Sequence, residues 1–112
     1  MDCLFCKIIN GDIPCNKVYE DDLVLAFYDI DPQAPVHFLV IPKQHIKSVD
    51  EIDATNSNIV AHVFEVVAKL AKELELVDGY RVVTNCGKDG AQSVEHLHFH
   101  ILGKRSLKWP PG

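Results

Sequence analysis

Three histidines on alternate positions, His96, His98 and His100, with Leu97 and Phe99 between them, constrain this chain more than any other feature. A period of two is the signature of a β-strand, so the three imidazoles leave one face while Leu97, Phe99 and Ile101 turn toward a core. Same-face neighbours on a strand lie roughly 6.6 to 6.8 Å apart, which separates His96 from His100 by about 13 Å along the backbone. A zinc ion holds nitrogen ligands at about 2.0 to 2.1 Å, so one ion can take an HxH pair but hardly all three residues. The members of the row are therefore expected to do different jobs.

The rest of the composition bounds what those jobs can be. A chain of 112 residues, 47% apolar and 24% charged, reads as one domain over 1–112 with a core of its own. A net charge of −5 argues against nucleic acid as the main partner, because a phosphate backbone needs a basic face; a local anion site stays open. No apolar run reaches membrane-span length and the first residues lack a signal-peptide pattern, so no membrane partner and a cytoplasmic location are expected. In such a reducing compartment the four cysteines read as metal ligands or plain thiols before disulfides.

Along the chain, residues 5–10 read as a short helix stopped by Gly11 and Pro14. Leu23 to Asp29 and His37 to Ile41 read as two antiparallel strands, the second stopped by Pro42. A long helix follows, capped by Asp53 or Thr55, with Ile59, Val63, Val66, Val67, Leu70 and Leu74 as its apolar stripe and Asp78-Gly79 as its stop. Glu65 and Lys69 are spaced to pair on its wet side, and His62 reads as structural or merely exposed. Tyr80 to Asn85 and His96 to Leu102 complete the strands. The order ββ-α-ββ predicts an α+β fold, an antiparallel sheet with one long helix packed on one face. The tail Trp109-Pro110-Pro111-Gly112 suits neither helix nor inner strand, and its Trp is expected to dock, on a partner subunit for example.

The loop entering the histidine run carries Gly87, Gly90, Gln92 and Ser93, which place flexible backbone amides, a carboxamide and a hydroxyl beside the imidazoles. Alone this is a glycine-containing hairpin turn. Next to three imidazoles it points to a phosphate or another oxyanion. Neutral imidazole is a competent nucleophile near pH 7, given an unperturbed pKa of about 6.5, provided a hydrogen bond on one nitrogen fixes the tautomer.

From Gln92 to Leu102 the string QSVEHLHFHIL resembles the signature of the histidine triad (HIT) proteins. The stretch Asp29 to Lys43, the opening Phe5-Cys6-Lys7-Ile8-Ile9 and the terminal Trp-Pro-Pro-Gly are similar to the Hint branch, the purine nucleoside phosphoramidate hydrolases. The resemblance runs essentially end to end. It implies a HIT fold whose sheet continues into that of a second copy, so a homodimer, with the C-terminal tail reaching the neighbour's site. It implies hydrolysis of AMP- or GMP-type phosphoramidates, with His98 as the nucleophile that becomes a nucleotidyl-histidine, His100 beside the leaving atom, His37 behind the nucleophile and Ser93 near the leaving group. By the same resemblance Asn85, Gln92, Ser93 and Val94 surround the phosphate, Phe5, Ile8, Phe27, Ile30 and Leu39 form the base pocket, and Asp29 holds the ribose hydroxyls. Read without it, Phe5, Ile8 and Leu39 are ordinary core and Asp29 is a turn residue.

Cys3-x-x-Cys6 is a common metal half-site, less often a redox pair or two incidental thiols. Several HIT proteins complete such a pair with a histidine after the IPK segment and the first triad histidine, which implies a structural zinc on Cys3, Cys6, His45 and His96 here. Cys15 and Cys86 read as free thiols. The chain departs from the Hint pattern at Ala91, where a second glycine is common, and at Glu95, where an aromatic is common. Ala91 narrows the phosphate loop or removes a close backbone approach. Glu95 repels a nucleotide if it points inward and is expected on the opposite face or the rim. Two further readings stay open: a nucleotide-binding regulatory module with weak catalysis, and a dinucleotide polyphosphate hydrolase.

Overall fold

Apolar residues run unbroken through the central strands because the sheet they form is covered on both sides. In the computed structural model, which describes residues 2–112, the elements are α1 (Leu4–Ile9), β1 (Lys17–Glu20), β2 (Val24–Tyr28), β3 (Val36–Pro42), α2 (Ser57–Glu73), β4 (Tyr80–Val83) and β5 (Phe99–Gly103). The strands form one sheet in the order β1-β2-β3-β5-β4, with every neighbouring pair antiparallel. This is the expected α+β architecture with one added strand, β1, which pairs with β2 at the sheet edge.

Alternation sorts the side chains between two layers. Val24 and Ala26 of β2, Phe38 and Val40 of β3, and Phe99 and Ile101 of β5 pack under α2. Leu25, Phe27, Leu39 and Ile41 face the other way, against Cys3 and Phe5 at the start of the chain. The α2 stripe is buried as its periodicity requires: Ile59, Val63, Val66, Val67 and Leu70 are all buried and Leu74 packs at the edge of the cluster. Leu70, 1% exposed, is a residue whose truncation to Ala costs about 2 to 5 kcal/mol.

The ends of α2 differ from the sequence expectation for local reasons. Its N-cap is Asn56, whose side chain makes no capping bond. Asp53 closes the turn before it by accepting from the Thr55 amide and hydroxyl. At the other end the helix stops six residues before Gly79. Glu75 takes the left-handed conformation (φ 58°), the Glu75 amide donates to the Lys72 carbonyl and the Leu76 amide to that of Ala71. That is a Schellman closure, built here on a residue other than glycine. Lys69 pairs with Glu73 at 3.6 Å and lies over the Tyr19 ring, in place of the expected Glu65 partner. His62 Nε2 reaches Asp21 Oδ2 at 2.6 Å and ties α2 to the β1–β2 turn.

Strand β4 ends at Val83, and β5 begins at Phe99 rather than His96. The backbone before β5 remains spoken for: the Leu97 amide donates to the Ile46 carbonyl, and the His98 carbonyl accepts from Thr84 Oγ1 at 2.8 Å. Leu97, Phe99 and Ile101 still enter the core under α2, so the alternation survives where the ladder does not. Among the described residues no helix is long and apolar enough to cross a membrane.

Candidate active site and metal cluster

The register of the sheet assembles the site on the face opposite α2. β2 pairs Phe27 with Leu39, and β3 pairs Leu39 with His100, so these three side chains form a row. His37 lies diagonally from His100, two positions along β3, within reach of a ring on the same face. His98 precedes β5, and its ring meets that of His100 edge-on with centroids 5.0 Å apart. Phe5 of α1 covers the row, edge-on to Phe27 at 5.7 Å and to His98 at 5.1 Å.

Hydrogen bonds assign each imidazole a tautomer. His98 Nδ1–H donates to the His96 carbonyl at 2.7 Å, which leaves Nε2 with its lone pair free. The Gln33 amide donates to His37 Nδ1 at 3.0 Å, so neutral His37 carries its proton on Nε2. That proton is donated to His100 Nδ1 at 2.9 Å, which puts the His100 proton on Nε2. Two adjacent rings thus present opposite functions, a bare nitrogen on His98 and an N–H on His100. Asp29 Oδ2 flanks the pair, 3.4 Å from His37 Nε2 and 3.8 Å from His100 Nδ1. Burial pushes His100 down to about 4, with the other two imidazoles adding to the shift and Asp29 opposing it. Burial also holds His37 below the usual range against the pull of Asp29 and Asp31. Both rings are neutral near pH 7.

His98 and His100 open into a cleft of about 350 Å³ lined on its apolar side by Phe5, Ile8, Phe27 and Leu39. Asp29, Ile30, Ser93 and Val94 stand on its rim. None of the residues lining it is Lys or Arg, so imidazoles, the Ser93 hydroxyl and backbone amides are the groups available to an anion.

A second cluster sits at the other end of the histidine run. Cys3, Cys6, His45 and His96 bring their ligand atoms within 4.8 Å of one another and could hold a metal ion. The Nδ1 atoms of His45 and His96 are 3.2 Å apart, and sulfur-to-nitrogen distances are 3.4 Å for Cys3–His96, 3.4 Å for Cys6–His45 and 3.6 Å for Cys6–His96. Tetrahedral ligation at zinc bond lengths requires about 3.3 Å between nitrogens and about 3.6 Å between nitrogen and sulfur. His96 Nε2–H donates to the Pro42 carbonyl at 2.8 Å, which frees Nδ1 for a metal as an outer-shell partner does in ligating histidines. Burial and the adjacent Cys3 push the Cys6 thiol up to about 11, an arrangement that a bound cation reverses.

Residues 10–107 match the HIT domain model. The chain belongs to the HIT domain family. It is 52% identical over 111 residues to an uncharacterized HIT-like protein of Synechococcus elongatus, covering 99% of this chain and 97% of that one. The crystal structure of a HIT family hydrolase from Legionella pneumophila superposes with a TM-score of 0.97 at 46% identity, covering 99% of this chain and 100% of that one. A histidine triad nucleotide-binding protein from Candida albicans does so with a TM-score of 0.83 at 35% identity, covering 97% and 83%.

Within this HIT domain the sequence-expected residues separate into three groups. His98, His100, Ser93, Val94, Phe5, Ile8, Phe27, Asp29, Ile30 and Leu39 all line the cleft, and His37 backs His100 from behind. Gln92 and Asn85 do not line it. The Gln92 amide is consumed by the backbone, donating to the Lys47 and Val94 carbonyls while its oxygen accepts from the Gly87 amide. It therefore latches the loop that carries Ser93. Asn85 is half-buried just beyond β4. Glu95 is a rim residue, with its carboxylate 4.0 Å from Lys47 Nζ. Trp109 is 79% exposed beside Arg81 and lies outside the cleft of its own chain. Thr84 and Gln33 escaped the sequence reading. Thr84 could have been found from its place at the end of the strand that pairs with the histidine run, whereas Gln33 acts through its amide and has no side-chain signature.

Proposed function

We propose that this HIT protein hydrolyses purine nucleoside 5′-phosphoramidates of the AMP or GMP type through a covalent nucleotidyl-His98 intermediate. The observation that carries this reading is the opposed pair of tautomers, a bare Nε2 on His98 and an Nε2–H on His100, at the polar end of an apolar cleft. The base packs between Phe5, Ile8, Phe27, Ile30 and Leu39, and Asp29 takes the ribose hydroxyls. His98 Nε2 attacks the α-phosphorus, and the bond to the leaving nitrogen breaks as that nitrogen gains a proton. His100 and Ser93 are the groups able to deliver it. Water then attacks phosphorus and expels the imidazole. Val94 and the loop amides meet the developing oxyanion, and Gln92 holds that loop in place.

The absence of Lys and Arg from the cleft lining favours a substrate with one charge at phosphorus over a dinucleotide polyphosphate, whose several charges would call for cations. The zinc site is Cys3, Cys6, His45 and His96; the ion would fix the N-terminal segment and His96, and with it the carbonyl that orients His98. The homodimer reading is supported by the free edge of β4 beside exposed Val77 and Tyr80, and by exposed Trp109, which suits a tail that reaches a neighbour. The protein acts in the cytoplasm.

The test compares His98→Ala with the parent chain on an adenosine phosphoramidate, a diadenosine polyphosphate and AMP. The reading expects phosphoramidate turnover to fall by on the order of 10³-fold or more with AMP affinity changed only a few-fold. Undiminished turnover overturns the mechanism. Faster cleavage of the polyphosphate by the parent chain transfers the function to that substrate class, and AMP binding without any turnover makes the protein a nucleotide-binding module.

A further inference from the structure

The metal cluster lies between two openings. On one side α1, bounded by Cys3 at its N-cap and containing Cys6, carries Phe5 and Ile8 into the nucleotide cleft. On the other side a cleft of about 460 Å³ is lined by Cys3 and His45 and shares Leu4, Ser93 and Val94 with the first. Cys3 is buried in side-chain terms but borders that cleft, and Cys6 and His45 are half-buried, so small solutes have access to the cluster. Cys6 donates its amide to Cys3 Sγ at 3.2 Å. Three residues along a helical turn span roughly 5 Å between Cα atoms, inside the range a disulfide bridges.

We propose that Cys3 and Cys6 form a reversible disulfide under peroxide, that this ejects the metal ion, and that nucleotide binding weakens as a result. This rests on the zinc reading above. The balance is two thiolates plus hydrogen peroxide plus two protons, giving one disulfide and two waters. One thiolate, Cys3 by its position on the cleft, attacks a peroxide oxygen. The O–O bond breaks, hydroxide leaves and takes a proton, and a sulfenic acid forms. The second thiolate attacks that sulfur and displaces a second hydroxide, which is protonated to water. The metal keeps only His45 and His96, a two-nitrogen set too poor to retain it. The loss reaches the chemistry by two routes: α1 loses the tie that presses Phe5 onto Phe27 and His98, and His96 loses the ligand bond that fixes the carbonyl orienting His98. A dithiol reductant with fresh zinc restores the original state.

The experiment uses the full chain carrying Cys15→Ala and Cys86→Ser, so that only the paired thiols remain. Zinc is first titrated into the reduced protein; one equivalent per chain is expected, and no uptake overturns the zinc reading itself. The loaded protein is then treated with hydrogen peroxide. A chelating dye should report release of that equivalent, and denatured mass should fall by about 2 Da, the two thiol hydrogens, mapping to the Cys3–Cys6 peptide. AMP affinity should weaken roughly tenfold as the ordered cleft wall is lost, and return with dithiothreitol and zinc. Retention of both zinc and free thiols overturns the switch while leaving the zinc site standing. A disulfide that forms with zinc release but without change in AMP affinity overturns the link to the cleft.

Discussion

His100→Asn should flatten the acid side of the protein's stability profile. His100 stands near 4 in the fold because burial penalises its charged form, against about 6.5 in an unfolded chain. A group whose pKa is depressed on folding stabilises the native state fully above its unfolded value and loses that contribution as pH falls toward the folded one. The window here runs from about 6.5 down to about 4. Across the whole window the difference amounts to about 3 kcal/mol, and between pH 7.5 and pH 5 the proton-linkage relation gives about 2 kcal/mol. The Asn carboxamide oxygen falls where Nδ1 was, so His37 Nε2–H keeps its acceptor. His37 and His96 are also held low by burial and add the same sign of dependence, but they remain in both proteins. Urea unfolding of the parent and of His100→Asn at the two pH values isolates the His100 share. The parent should lose about 2 kcal/mol more than the variant on acidification. A difference below about 0.5 kcal/mol, or a variant that loses more than the parent, refutes the claim that His100 is neutral in the fold.

Three further outcomes follow from single contacts. Thr84→Val removes the hydroxyl that holds the His98 carbonyl where the ladder has ended; turnover should fall about tenfold with KM nearly unchanged, and Thr84→Ser should restore it. Gln92→Leu strands the Lys47 and Val94 carbonyls and the Gly87 amide, so hydrogen exchange at residues 87–94 should quicken and KM should rise several-fold, with global stability down by about 1 to 2 kcal/mol. Ala91 sits at φ 59°, in the left-handed region, so Ala91→Gly should raise the thermal midpoint slightly, the relief of about 1 kcal/mol outweighing the added chain entropy; a lower midpoint contradicts the strain.

The two long-range facts of this fold, one sheet and a packed helix, were legible because they rest on periodicity. The α2 stripe and the alternation of Leu97, Phe99 and Ile101 dictate which side goes inward whatever the exact element ends. Strand β1 was not legible: Lys-Val-Tyr-Glu is four residues at a sheet edge with an irregular register, and it lacks an apolar face of its own. The end of α2 hid because Glu75 occupies a position where glycine is the usual signal.

In the site, the residue types were legible and their protonation was not. A run of imidazoles beside a glycine-bearing loop points to an anion site, but it does not say which ring accepts and which donates. That choice is made by three backbone groups: the His96 carbonyl for His98, the Gln33 amide for His37, and the Pro42 carbonyl for His96. Backbone groups carry no residue identity, so no pattern of side chains encodes them. They can be reached only once the strands are placed. The alternating row is consequently a set of three imidazoles that differ less in kind than in what each one faces: a main-chain carbonyl for His96 and for His98, and for His100 the His37 ring, itself set by the Gln33 backbone amide. Replacing a side chain that merely supplies such an atom, as at Gln33, should leave the tautomer intact, whereas a proline there would remove the donor that fixes the order of protons through His37 to His100.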